Sequence, residues 1–144
     1  YLLLKNLYNR EPQYNVQERN GILNESYYAI TKSSISLKKF RDIFYKGKEK
    51  IIPNNIELFY TKRSLAYHFM DDGSRKNNQY YLYLCSFSKE SIQNLQKLLL
   101  SWGIETSLQK RNVLYIKSRS NKIFIESIKD FIVPSMQYKL PVSL

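Results

Sequence analysis

An α+β fold built from a duplicated unit is the architecture this sequence predicts, and three observations carry it. The 144 residues suit a single domain with a sizeable core. Helical apolar periodicities alternate with short strand-like alternations instead of forming one class. The stretch "YYAITKSSISLKKFRDIFYKGKEKIIP" (Tyr27 to Pro53) resembles "VLYIKSRSNKIFIESIKDFIVPSMQYKLP" (Val113 to Pro141). Similarity on that scale implies a pseudo-two-fold molecule made from one repeated unit.

Each repeat opens on a short strand, with Tyr28 and Ile30 alternating in the first copy and Leu114 and Ile116 in the second. A polar "KSS" or "KSRS" turn follows. An amphipathic helix comes next, marked by Leu37, Phe40, Ile43 and Phe44, then by Ile123, Phe124, Ile128 and Phe131. Each copy closes on a lysine just before a proline: Lys50 before Pro53, and Lys139 before Pro141. Upstream, "YLLLKNLYN" resembles "IQNLQKLLLSWG", a helix whose Ile92, Leu95, Leu99 and Trp102 share a face and whose Gly103 ends it. Between them "SLAYHFMDDG" reads as a helix burying Leu65, Ala66, Phe69 and Met70 against another helix, with Gly73 as a left-handed stop. Two hairpin regions, "GSRKNNQYYLYLCSF" and "SLQKRNVLYIKS", complete the second copy, and both look short. The expected order is helix, hairpin, helix, hairpin, helix. Residues 1–62 hold the back portion of a first unit and residues 63–144 a whole second one.

The charge points to the ligand. A net charge of +11 from 23 basic and 12 acidic side chains indicates a polyanionic partner. Thirteen tyrosines and seven phenylalanines supply rings that stack on bases, so nucleic acid is favoured over an anionic membrane. Cys85 stands alone, which excludes an internal disulfide and a cysteine-rich zinc site. No apolar run approaches the length of a membrane span. The composition is rich in Lys, Asn, Ile, Tyr and Phe, with alanine only at positions 29 and 66, as in genes with A/T-rich codons.

One placement is physically odd. Asp71 and Asp72 fall in the last turn of their helix, where the helix dipole disfavours anions. The segments "SLAYHFMDDG", "KIIPNN", "SFSKESIQNL" and "VPSMQYKLP" resemble the LAGLIDADG homing endonucleases and maturases, of the two-repeat, intron-encoded fungal mitochondrial type. That resemblance implies an αββαββα repeat with antiparallel sheets forming a saddle over DNA, the first repeat being incomplete here. It also implies that Asp72 is a catalytic acid and, if the site is active, a ligand for Mg²⁺ shared with phosphate. Lys50 and Lys139 match the family's active-site lysines, and Asp71 a variable, solvated position. His68 sits one helical turn before Asp72; a packed or surface histidine is favoured there over a metal ligand.

Strand alternation turns Leu82 and Leu84 inward and Tyr81, Tyr83 and Cys85 toward the ligand. The expected binding surface is Arg75, Lys76, Tyr81, Tyr83, Lys110, Arg111, Tyr115, Lys117 and Arg119. Two readings stay open. The favoured one is a non-cleaving, RNA-binding descendant, an intron maturase or a component of an organellar ribosome or other ribonucleoprotein, since tyrosines stack on unpaired bases better than they read duplex edges. The alternative is part of an active, site-specific DNA endonuclease whose other motif helix lies on a further segment or a companion chain. The chain alone is expected not to cleave. The mitochondrial matrix is the expected location on either reading, with no membrane partner.

Overall fold

The computed structural model describes residue 8, residues 10–32 and residues 35–141. The helix expected over "YLLLKNLYN" lies, apart from Tyr8, outside the described residues, as do Ser33 and Ser34 of the first polar turn. The chain divides into two compact units, residues 1–41 and 42–144.

The first unit is dominated by a hairpin. Strands β1 (Gln13–Arg19) and β2 (Ile22–Tyr28) pair antiparallel from Gln13 opposite Tyr28 to Arg19 opposite Ile22. Asn20 and Gly21, at φ 55° and 76°, form the two-residue turn whose twist suits such a ribbon. The expected short strand alternating at Tyr28 and Ile30 is thus corrected: the strand ends at Tyr28, and its partner lies upstream. Alternation puts Gln13, Asn15, Gln17, Arg19, Ile22, Asn24, Ser26 and Tyr28 on one face, and Tyr14, Val16, Glu18, Leu23, Glu25 and Tyr27 on the other. Helix α1 (Ile35–Phe44) follows. Of its apolar stripe, Leu37 and Phe40 are exposed, while Ile43 and Phe44 are half-buried.

The second unit begins at the end of α1. A small hairpin, β3 (Tyr45–Lys46) with β4 (Glu49–Lys50), comes first. After it the chain runs α2 (Lys62–Asp72), β5 (Gly73–Lys76), β6 (Gln79–Tyr83), α3 (Lys89–Ser101), β7 (Thr106–Gln109), β8 (Val113–Ile116) and α4 (Asn121–Ile128). That is the αββαββα order, and the fold class is α+β. The four strands form one antiparallel sheet in the order β5-β6-β8-β7.

Local chemistry explains where the helices start and stop. At the head of α2, Thr61 and Ser64 form a reciprocal capping box. Ser88 caps α3 by accepting the Ser91 amide at 3.2 Å. Gly103, at φ 78°, ends that helix in the left-handed conformation, and Ile104 N–H returns to the Leu99 carbonyl at 2.9 Å. The end of α2 differs from expectation. Gly73 is extended, at φ −113° and ψ 157°, and leads directly into β5. Glycine is needed there for space: a Cβ would lie 2.4 Å from the Phe69 carbonyl oxygen and 2.7 Å from its Cα.

The core lies between the helices and one face of the sheet. Leu65, Ala66, Phe69 and Met70 of α2 are buried, with α2 packed on α4 and β6. Small Ala66 permits close approach. Phe69, Tyr80 and Phe124 form a ring cluster with centroids 5.2–6.0 Å apart. Each large apolar side chain buried this way contributes about 1.5–3 kcal/mol. Leu82 and Leu84 point into the core as alternation predicts, and Ile92, Leu95 and Leu99 of α3 share the buried face. In α4 the expected stripe is corrected by one position: Ile123 is exposed, and Ile125 is buried beside Phe124 and Ile128. No helix among the described residues is long and apolar enough to cross a membrane.

Candidate functional site

The acid tip of α2 and the outer face of the sheet are the two places where sequence and structure converge. Asp72, last residue of α2, is exposed and makes no ion pair or side-chain hydrogen bond among the described residues. It lines a cavity of about 220 Å³ with Lys50, Tyr60 and His68, over an apolar floor that includes Ile52, Ile56, Leu84 and Leu95. Lys50 and Asp72 therefore share one recess without pairing across it. Asp71 is exposed beside them, as expected.

His68 is a packed histidine. Tyr60 Oη lies 2.8 Å from its Nδ1. Burial pushes the Tyr60 hydroxyl far above its ordinary range, so it stays protonated, and the imidazole tautomer sets which of the two atoms donates. Burial also holds the imidazole below its ordinary pKa of 6.5, against opposing contributions from Asp72, the Tyr83 backbone and Asp71. Nδ1 is thereby engaged within the protein.

Lys139 sits at the acid tip of α2, bound to the backbone there. Its ammonium donates to the carbonyls of Met70 at 2.5 Å, Gly73 at 2.9 Å and Phe69 at 3.3 Å, and sits 5.8 Å from the Phe69 ring centroid. All three N–H donors are used on the frayed carbonyl end of α2. The positive charge there offsets the negative pole of the helix. This contact relieves the electrostatic penalty of ending α2 on two aspartates.

The outer face of the sheet carries Ser74, Lys76, Gln79, Tyr81, Tyr83, Ser107, Gln109 and Tyr115. Tyr81 and Tyr115 stand directly opposite, with ring centroids 5.5 Å apart. Tyr83 lies 3.1 Å from Ser74 Oγ, and Cys85 is exposed just past the end of β6. Lys110 and Arg111 are exposed in the β7–β8 turn, beside the Tyr83 end of the sheet. Lys76 lies at the opposite end, next to the Asn77–Asn78 turn.

Three expected surface residues have partners within the protein. Arg75 alternates onto the core face, where its guanidinium donates to the Leu140 carbonyl and Asn78 Oδ1, each at 2.7 Å. Lys117 and Arg119 both converge on Glu105, at 3.3 Å for Lys117, and hold that carboxyl below its usual range, Arg119 more strongly. Sequence reasoning also passed over the polar ladder Gln13, Asn15, Gln17 and Arg19 of β1. The Asn20-Gly21 dipeptide between alternating residues is the signal that finds it.

No three acidic, histidine or cysteine side chains cluster as a metal cage among the described residues. A magnesium ion keeps several waters and takes one or two carboxylates together with phosphate oxygens. The unpaired Asp72 carboxylate fits that second arrangement.

The LAGLIDADG DNA endonuclease family matches residues 1–124. The DNA endonuclease I-ChuI of Chlamydomonas applanata is 31% identical over 142 residues, covering 85% of this chain and 65% of the relative. Cytochrome b mRNA maturase bI2 of Debaryomyces hansenii is 31% identical over 103 residues, covering 67% of this chain and 39% of the relative. Probable intron-encoded endonuclease 1 of Wickerhamomyces canadensis is 32% identical over 109 residues, covering 67% and 47%. The chain thus spans less than two thirds of these relatives. The solved structure of the homing endonuclease I-WcaI bound to its DNA recognition sequence is 26% identical, with a TM-score of 0.85 over 99% of this chain and 69% of that one.

Proposed function

Because the chain belongs to the LAGLIDADG DNA endonuclease family, we propose that it binds a specific DNA duplex and supplies one acid-bearing half of a metal-dependent phosphodiester-cleaving site. The observation that carries this reading is the recess in which Lys50 and Asp72 face one cavity and neither is neutralised by the other. Such a pair accommodates a phosphate on the lysine side and a cation on the aspartate side. Asp72 would hold a Mg²⁺ ion there, which would supply Lewis-acid charge to a phosphate oxygen. The Lys50 ammonium stabilises the remaining phosphate charge, and Asp72 orients ligands at the helix tip. The family resemblance calls for a second acid from another motif helix, so cleavage requires that helix as well. Tyr81, Tyr83 and Tyr115, with Lys76, Lys110 and Arg111, form the adjoining contact surface. The likeness to intron-encoded relatives and the A/T-rich-codon composition support a mitochondrial location.

The test is incubation of the protein, with any co-purifying partner, in Mg²⁺ with a randomised duplex library. Discrete cuts that vanish in Asp72→Asn are the expected result; no cuts, or cuts indifferent to Asp72→Asn, reject the reading. A second reading, non-cleaving RNA binding of the maturase or ribonucleoprotein kind, is favoured by one feature. The facing Tyr81 and Tyr115 rings on short strands suit unpaired bases. Against it stand the seven-residue strands of β1 and β2, which present an amide-rich polar ladder long enough to follow a duplex groove.

A further inference from the structure

The β3–β4 hairpin has a charge pattern that the acid recess does not explain. Its six residues, Tyr45 to Lys50, contain three lysines and one acid, and all but Tyr45 are exposed. Elsewhere in this unit three cations make ion pairs: Lys117 and Arg119 with Glu105, and Lys129 with Glu126. Lys46 is registered directly across from Glu49, yet neither it nor Lys48 nor Lys50 forms an ion pair among the described residues. The hairpin keeps its positive charge available.

It is also held firmly for its size. A ribbon of two residue pairs is marginal alone in water. Here Gly47, at φ 64°, takes the first position of the two-residue turn, the conformation glycine favours there, with no heavy atom within 4 Å of where a Cβ would stand. At the base, Ile51 N–H donates to the Phe44 carbonyl at 2.9 Å, Lys50 bridges to Phe87, and Asn94 Nδ2 donates to the Ile52 carbonyl at 2.8 Å. Buried Ile52 joins the core. The result is a short stiff arm with an open, basic tip, whose base residue Lys50 lines the recess containing Asp72.

We propose that this arm is a phosphate clamp: Lys48 at its tip, with Lys46, grips backbone phosphates next to the one received between Lys50 and Asp72. The ligand is one strand of the DNA duplex, held through its backbone and not its bases. The proposal rests on the DNA-binding reading above and adds to it a contact outside the acid recess.

The experiment is fluorescence anisotropy of a labelled random-sequence duplex, and of a matched RNA, across a salt series. The wild-type chain is compared with Lys48→Gln, the double variant Lys46→Gln/Lys48→Gln, and Glu49→Gln. In the duplex series, the slope of log affinity against log salt should become shallower by about one unit for the single variant and about two for the double. Glu49→Gln should bind more tightly, and thermal midpoints should stay at the wild-type value. A double variant that keeps the wild-type slope overturns the clamp while leaving DNA binding intact. A wild-type chain that binds neither probe overturns the functional reading as well. Lysine-dependent binding of the RNA alone rejects duplex DNA as the ligand.

Discussion

Two lysines occupy matching places in the duplicated sequence, and the structure employs them differently. Lys50, ahead of Pro53, ends the β3–β4 hairpin and looks into the recess with Asp72, its ammonium making no hydrogen bond among the described residues. Lys139, ahead of Pro141, lies at the end of a 3-10 segment and gives all its donors to the α2 carbonyls of Phe69 and Met70 and to Gly73. One is available to a ligand; the other is spent on the scaffold that presents the acid. A repeat thus conserves the place of a residue more readily than its task, because the task depends on which carbonyls or carboxylates the surrounding fold brings within reach.

That contrast predicts different failures. Lys50→Met should lower the cleavage rate by about 10²–10³-fold, the usual loss for a charge-stabilising group, with little change in thermal midpoint. Lys139→Met should instead lower stability by about 1–3 kcal/mol in chemical denaturation, since three helix-end carbonyls lose their donor, and should leave the salt slope of DNA binding unchanged. If Lys139→Met folds with wild-type stability yet shifts that slope, the division of labour between the two lysines is wrong.

The scaffold side of the comparison is sharpened at Gly73. Gly73→Ala inserts a methyl where the Phe69 backbone already stands within 2.7 Å, so α2 and β5 must separate. The expected destabilisation is about 1–3 kcal/mol, with a displaced Asp72 and reduced cleavage even where the variant folds. Wild-type stability in this variant would falsify the close approach at the helix end.

The smallest effect is a pH dependence on the recess side. His68 is the chain's one histidine, and burial lowers its pKa in the folded state below 6.5. Below that value the unfolded chain takes up a proton more readily than the folded one. Stability from this group is therefore complete above pH 6.5 and declines as pH falls through the lowered value. Urea melts at pH 7.5 and 5.5 should show the decline, and His68→Gln should flatten it.

Much of this organisation was legible in the sequence. The α2 and α3 faces were readable because Leu65, Phe69, Ile92, Leu95 and Leu99 recur at helical spacing, and Gly103 marks the end of α3. The outward tyrosines of β6 followed from alternation. What escaped depends on contacts remote in sequence. Arg75 reads as a surface cation until Leu140, 65 residues away, offers its carbonyl. Lys139 reads as an active-site lysine, and the α2-end carbonyls that hold its ammonium are visible only in the fold. Gly73 reads as a left-handed stop because Asp-Gly so often is one, whereas here crowding by Phe69 demands it. The β1–β2 hairpin is a different case: the Asn20-Gly21 turn stands in the sequence, but the repeat takes in only the downstream end of β2.

The ring stack beside His68 gives the molecule an internal optical gauge. Trp102 is the sequence's single indole, and it lies nearly parallel to Tyr60, at 20° with centroids 6.3 Å apart. Tyr60 holds His68, one turn of α2 before Asp72. Anything that disturbs the imidazole is relayed across two contacts to the lone chromophore of its kind. Emission excited at the red edge therefore reports on the recess from within, without a label and without a need to know which sequence of bases the protein prefers.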